Sequence, residues 1–123
     1  IFAIAEEIER LRFQRAVIDH PFSPFIDLSV EQMKQLARAG IYLNFTYDEL
    51  SPLLGVDPCK MYQAIRSIGP EHCILSSEAG DPFFPNSVEC IRLMRTYMRA
   101  FGLSAEEIHR VSSVNPARIV ERD

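Results

Sequence analysis

Several absences narrow what this chain can be. Its three cysteines, Cys59, Cys73 and Cys90, are widely spaced, odd in number and form no CxxC pair. A disulfide framework is therefore not expected, and the thiols read as small buried residues in a reducing, cytoplasmic setting. No basic stripe is present and the net charge is −4. Nucleic-acid binding normally needs clustered Lys and Arg, so no nucleic-acid partner is expected. No apolar run approaches the length of a membrane span, so no membrane partner is expected either. The N-terminal residues, Ile1 to Glu7, lack a basic leader and read as the middle of a helix rather than a signal peptide. Low-complexity segments, long linkers and exact repeats are also missing.

What is present is ordinary for a globular domain: 123 residues, 47% apolar and 24% charged. That length is enough for one domain with a real core. Residues 1–13 carry apolar side chains at helical spacing and read as a helix, and residues 15–20 read as a buried strand that ends in His20, with Pro21 next. Ser29-Val-Glu-Gln32 is a capping-box pattern that opens a helix running to about Ala39, where Gly40 stops it. Ile41 to Thr46 reads as a second strand, and 47–57 as a loop. Asp57-Pro58 opens another helix that ends near Gly69. Residues 72–77 read as a third strand, and 78–86 as a loop with Gly80, Pro82 and Pro85. A long amphipathic helix over 87–101 is expected to place Val88, Ile91, Met94, Tyr97, Met98 and Phe101 on one face. Arg92, Arg95 and Arg99 fall mostly on the other side, as a solvated face. Gly102 ends that helix, Ser104-Ala-Glu-Glu107 is a second capping box, and Asn115-Pro116 is expected to cap a final short helix.

Alternation of helix and short apolar strand implies parallel strands joined by helical crossovers, hence an α/β fold. Three strands are too few for a closed (β/α) barrel, which needs about eight strands and about 250 residues. The chain is therefore expected to be a single partial barrel domain over 1–123, about three βα units by that count, with the upstream units outside it. Alone it would expose an unpaired parallel edge. A completing N-terminal segment or a homo-oligomer is thus an expected partner.

Chemistry-bearing residues gather at the predicted C-terminal ends of the strands, where barrel enzymes keep their sites. His20 follows the first strand, and Pro21 forces that strand to stop. A neutral imidazole there could bind a divalent cation, position a substrate, or simply cap the sheet by hydrogen bonding. Glu78 and Asp81 follow the third strand, with Gly80 between them. Either carboxylate could ligate an ion and take a proton from ion-bound water, or it could cap the next helix, although Ser87 is placed to do that. Asn44, Thr46, Asp48 and Glu49 close the second strand and could line a substrate pocket or solubilise a loop. Among them Asn44 and Glu49 are the substrate-contact candidates. His72 lies on the N-terminal face of its strand and His109 within a helix, so both read as structural or exposed.

Taken in order, strand-His20-Pro21, a polar-tipped strand, Glu78-Ala-Gly80, the long helix, Gly102-Leu-Ser-Ala-Glu-Glu-Ile108 and Asn115-Pro-Ala-Arg118 resemble the C-terminal part of the amidohydrolase superfamily, the metal-dependent TIM-barrel hydrolases. The resemblance spans about Val17 to Val120. It implies the C-terminal portion of a (β/α)8 TIM barrel and hydrolysis of a C–N, ester or lactone carbonyl of a small molecule by metal-activated water. His20 would then be a metal- or substrate-contacting histidine. Glu78 falls where the superfamily places an aspartate that serves as ligand and general base, and Asp81 is the alternative carboxylate. A divalent metal, zinc first, is the implied cofactor. The superfamily's His-x-His, bridging residue and further histidine would lie upstream of Ile1. The glutamate at position 78, one methylene longer than aspartate, also motivates a second expectation: a non-catalytic relative that binds a ligand or serves in assembly.

Overall fold

Three apolar runs become the strands of the computed structural model, which describes residues 1–13 and 15–121. They are β1 (Val17–Asp19), β2 (Tyr42–Thr46) and β3 (Cys73–Ser76). The sheet is parallel and open, in the order β1-β2-β3. Register sets Asp19 opposite Asn44, Asn44 opposite Ile74, and Thr46 opposite Ser76. Helix α1 (Phe2–Arg10) precedes β1, α2 (Val30–Arg38) joins β1 to β2, and a single helical turn, α3 (Tyr47–Leu50), then α4 (Pro58–Ile68) join β2 to β3. Beyond β3 come α5 (Ser87–Phe101), α6 (Ala105–His109), a π-helical turn over Arg110–Val114, and α7 (Asn115–Val120). The architecture is therefore α/β with parallel strands.

Because the strands follow in sequence order, both crossovers advance in the same direction. Right-handed connections then put α2 and α4 on one face of the sheet. The core agrees: Met33 and Leu36 of α2, Met61 and Ile65 of α4, and Met94 and Met98 of α5 pack with Leu43, Phe45, Cys73 and Leu75. Successive strand residues point to opposite faces. The alternate set, Val17, Asp19, Tyr42, Asn44, Thr46, Ile74 and Ser76, lies outside that core cluster, on the face the crossovers leave uncovered, although Asn44, Thr46 and Ile74 are buried. Its polarity rises toward the C-terminal ends of the strands.

Local chemistry accounts for the helix boundaries. Ser29–Gln32 and Ser104–Glu107 both close reciprocal capping boxes. Asp57 caps α4 through the amide of Cys59 at 2.7 Å. Helix α5 is capped by Asn86, whose side chain accepts from the amide of Glu89 at 3.1 Å, and not by Ser87. The buried stripe of α5 is also rotated from the expected one. Cys90, Met94 and Met98 are inside, while Val88 is 74% exposed and Tyr97 and Phe101 lie at the margin. Tyr62 stacks on Phe101 with ring centroids 5.9 Å apart. The expected loop 47–57 begins instead with α3, because Thr46 and Glu49 form a third capping box.

Asn115 does not cap a helix. It sits inside the run from α6 to α7, and its side-chain amide donates to Pro70 O at 2.8 Å and Cys73 O at 2.7 Å. This ties the C-terminal helices to the N-terminal end of β3, because the chain entering β3 through the Pro70–His72 turn leaves carbonyls that need donors. The three thiols are free; burial pushes the Cys73 thiol well above its usual range, with Glu71 adding to it. Among the described residues no helix is long and apolar enough to cross a membrane.

The Asn115 link is directional and can be tested by polarity. Asn115→Ala removes two buried donors and is expected to cost about 1–3 kcal/mol of unfolding free energy. Asn115→Asp should cost more, because a carboxylate would face two carbonyl oxygens. Urea denaturation of both variants checks this, and an aspartate variant as stable as the alanine one would contradict it.

Candidate functional site

The site grows from the two outer strand tips. At β1, the amide of His20 makes the last ladder bond, to Asn44 O at 3.2 Å, and its carbonyl accepts from Ser23 at 2.9 Å to close a turn. His20 has φ +52°, and Glu78, two residues past β3, has φ +44°. Neither is glycine, so each left-handed backbone costs about 1–2 kcal/mol. Pro21 also biases the residue before it toward extended backbone, which His20 does not adopt. Strain of this kind persists only where surrounding contacts hold it, and it gathers at functional sites. Here it turns both side chains toward each other across β2, with His20 Nε2 3.9 Å from Glu78 Oε1. The histidine side chain is 26% exposed and the glutamate 54%, so the pair faces solvent at the rim.

Between them the end of β2 supplies the framework. Glu49 has no exposed surface. Its Oε1 accepts the amide of Phe22 at 2.7 Å, and its Oε2 accepts the amide of Thr46 at 3.0 Å. Thr46 Oγ1 in turn accepts the amide of Glu49 at 3.4 Å and lies 3.1 Å from His20 Nδ1. One capping box thus starts α3, pins the segment after His20 and contacts the imidazole. Burial raises the affinity of Glu49 for its proton, outweighing the two amide donors and the nearby His20, which pull the other way. Phe22 is packed between Phe45, with centroids 5.8 Å apart, and Lys60, whose Nζ lies 4.6 Å from its ring centroid.

The residues singled out in the sequence stand as follows. His20 and Glu78 come together. Asp81 accepts the amide of Phe83 at 3.0 Å within a turn of the loop beyond β3. Asn44 is 9% exposed, and its side-chain amide donates to Asp19 Oδ1 at 2.7 Å on the uncovered sheet face. Glu49 is spent on backbone amides, so its carboxylate frames the site from beneath. Thr46 is the residue the sequence reading undervalued; the pattern Thr46-x-x-Glu49 was the available signal. His72 lies beside Tyr42, with ring centroids 6.4 Å apart, at the opposite end of the sheet, and His109 is exposed.

An imidazole nitrogen and a carboxylate oxygen are the donor types zinc takes, and two ligands each about 2.0–2.2 Å from one ion lie at most about 4.4 Å apart. The 3.9 Å separation of His20 and Glu78 fits that span. Among the described residues no group of three or more His, Cys, Asp and Glu side chains that could hold an ion is present. The chain matches no family model, no curated protein and no solved structure.

Two outcomes follow from this geometry. Glu49 holds its proton more tightly in the folded chain than in the unfolded one, so its contribution to stability is greatest below the ordinary glutamate range. It declines as pH rises from there through the raised folded value. Glu49→Gln cannot titrate, so the stability advantage of the wild type over it should shrink as pH rises above about 4. Urea midpoints across that range measure this, and a widening advantage would contradict it. Glu78→Gly relieves a left-handed backbone while freeing the unfolded chain, for a net gain of roughly 0.5–1 kcal/mol. The same denaturation measurement should show a raised midpoint; a lowered one would show that the carboxylate itself stabilises the fold.

Proposed function

We propose that this chain is the C-terminal part of a (β/α) barrel hydrolase, resembling the amidohydrolase superfamily, that cleaves a C–N, ester or lactone carbonyl of a small molecule. One observation carries the reading. A histidine and a glutamate, each held in left-handed backbone at the tip of a different outer strand, meet 3.9 Å apart at the C-terminal rim of a parallel sheet. Barrel enzymes keep their chemistry at that rim.

Further support comes from what the three βα units leave open. The helices of the crossovers cover one face, as the outer ring of a barrel does, and among the described residues β1 and β3 each have a neighbouring strand on one side only. Helix α1 presents Ile4, Ile8 and Leu11 along one groove at one end. Helix α5 presents Val88 and Ile91, with Ile108 of α6, along another at the other end, beside the cationic Arg92, Arg95 and Arg99. Neighbouring βα units, from the rest of a longer chain or from a second copy, are what such edges and faces accommodate.

In this reading Glu78 is the base that takes a proton from the attacking water, and His20 either contributes a ligand nitrogen or positions the carbonyl. Bound at this rim, a divalent ion, zinc by donor type, would polarise the carbonyl and acidify the water. Asp19 and Asn44, joined on the uncovered face just below the rim, are placed to contact the substrate. Glu49 holds the rim together from behind.

The test uses the full-length protein, metal analysis and a panel of amide, ester and lactone substrates. His20→Ala and Glu78→Ala are each expected to lower kcat by about 100-fold or more, the range of a positioned acid or base. Chelation should abolish turnover and zinc restore it. Unchanged turnover in both variants, together with no bound metal, would remove the proposal.

A further inference from the structure

The hydrogen-bond bookkeeping around Thr46 determines which nitrogen of His20 carries the proton, and this deepens the hydrolytic reading on which it rests. Thr46 is fully buried, so its hydroxyl cannot turn to water. A hydroxyl has one proton to donate and lone pairs with which to accept. The Thr46 oxygen already accepts the amide of Glu49 at 3.4 Å. Its remaining contact is His20 Nδ1 at 3.1 Å. If Nδ1 carried the proton, the threonine oxygen would accept twice, and its own buried proton would have no acceptor among these contacts. Buried polar groups rarely stay unpaired. The arrangement that satisfies every group has Thr46 donating to Nδ1, so the proton of the neutral ring sits on Nε2.

The geometry points to the Thr46–Glu49 pair as the positioning device that makes His20 a hydrogen-bond donor through Nε2. His20 is then the group that polarises the substrate carbonyl, and it does not ligate an ion. Nε2 is the nitrogen that faces Glu78 and the open rim, at 3.9 Å from the carboxylate. That gap is too long for a direct hydrogen bond, so the Nε2–H is available to an oxygen entering between the two groups. Nδ1 is taken by Thr46 and has no lone pair left for an ion. Glu49 acts at one remove. Its carboxylate holds the amides of both Thr46 and Phe22, which fixes the hydroxyl and the segment after His20 as one unit. Thr46 and Glu49 are positioning residues, since neither faces the rim. The donor assignment also selects among substrates. A carbonyl or an oxyanion is stabilised at this position, whereas a cationic group is repelled by the Nε2–H.

Long-range proton–nitrogen NMR on the intact protein, with its histidines labelled with 15N and at a pH where the ring is neutral, reads this without any substrate or metal. The expected spectrum has His20 wholly in the Nε2–H form, with Nδ1 shifted as a hydrogen-bond acceptor, and a slowly exchanging hydroxyl proton from Thr46. Thr46→Val should lose the acceptor shift and return the ring toward the tautomer mixture of a free imidazole; Thr46→Ser should restore the native pattern. A native spectrum with the proton on Nδ1 overturns the proposal, and so does a Thr46→Val spectrum identical to the native one. Should the valine variant fail to fold, the native spectrum alone still decides the tautomer. A protein that shows the expected spectrum but hydrolyses nothing on the substrate panel would defeat the functional reading and leave the tautomer assignment standing.

Discussion

Most of what is distinctive here descends from the order of the strands. Parallel strands joined in sequence order by right-handed connections carry all their crossover helices to one face. Apolar side chains of one parity, such as Leu43, Phe45 and Leu75, are consumed in packing against those helices. The other parity faces away from those helices, which leaves a second face whose C-terminal rows are polar, and among the described residues β1 and β3 each have a neighbouring strand on one side only. A sheet that alternates helices between its faces would have buried both sides of each strand and left no such second face. The same parallel order points every strand tip in one direction.

Direction alone would not assemble a site, because the tips of β1 and β3 are separated by a whole strand. Thr46 and Glu49, at the end of that intervening strand, bridge the gap. Burying a carboxylate is costly unless its oxygens are paired. Glu49 meets that condition with two backbone amides drawn from segments 24 residues apart in the chain, Phe22 and Thr46. Those bonds fix the segment that follows His20, so the left-handed backbone at His20 is held by contacts outside itself. The capping box is thus a local helix signal put to non-local use, and its loss would loosen the rim before it loosened the core.

The elements were largely legible in the sequence and the contacts were not. Apolar runs, glycine stops and two capping boxes marked the strands and the long helices, because those features act within a few residues. Where reading failed, a longer-range cause is visible. Helix α3 reads as loop because Pro52 and Gly55 follow closely, although Thr46-x-x-Glu49 is the same pattern as at Ser29 and Ser104. Glu49 reads as a substrate contact or a loop acid because nothing local announces that Phe22 will deliver an amide to it. Asn115 looked like a helix cap because Asn-Pro has that local meaning, yet its partners, Pro70 and Cys73, lie more than 40 residues upstream. The buried stripe of α5 rotated toward Cys90 once the neighbouring helices decided which side would be inside. His20 and Glu78 could be named from their places after strands. Their convergence depends on backbone angles that neither residue type signals.

The glutamate at position 78 has a geometric reason independent of any family pattern. Adjacent strands lie about 4.8 Å apart, so β1 and β3 are separated by roughly 10 Å of sheet. The side chains of His20 and Glu78 must cross most of that distance over the end of β2 to come within 3.9 Å. An aspartate on the same backbone would fall short by about one carbon–carbon bond, roughly 1.5 Å, and the gap would exceed about 4.4 Å, the most that one small ion can span. The left-handed turn at Glu78 contributes the rest of the reach by swinging the side chain back over the sheet instead of along the strand. A longer acid and a strained backbone therefore serve the same end. Both would be poor choices for a loop whose only task was to connect β3 to α5, since Asn86 already caps that helix and a glycine at position 78 would turn the chain without strain.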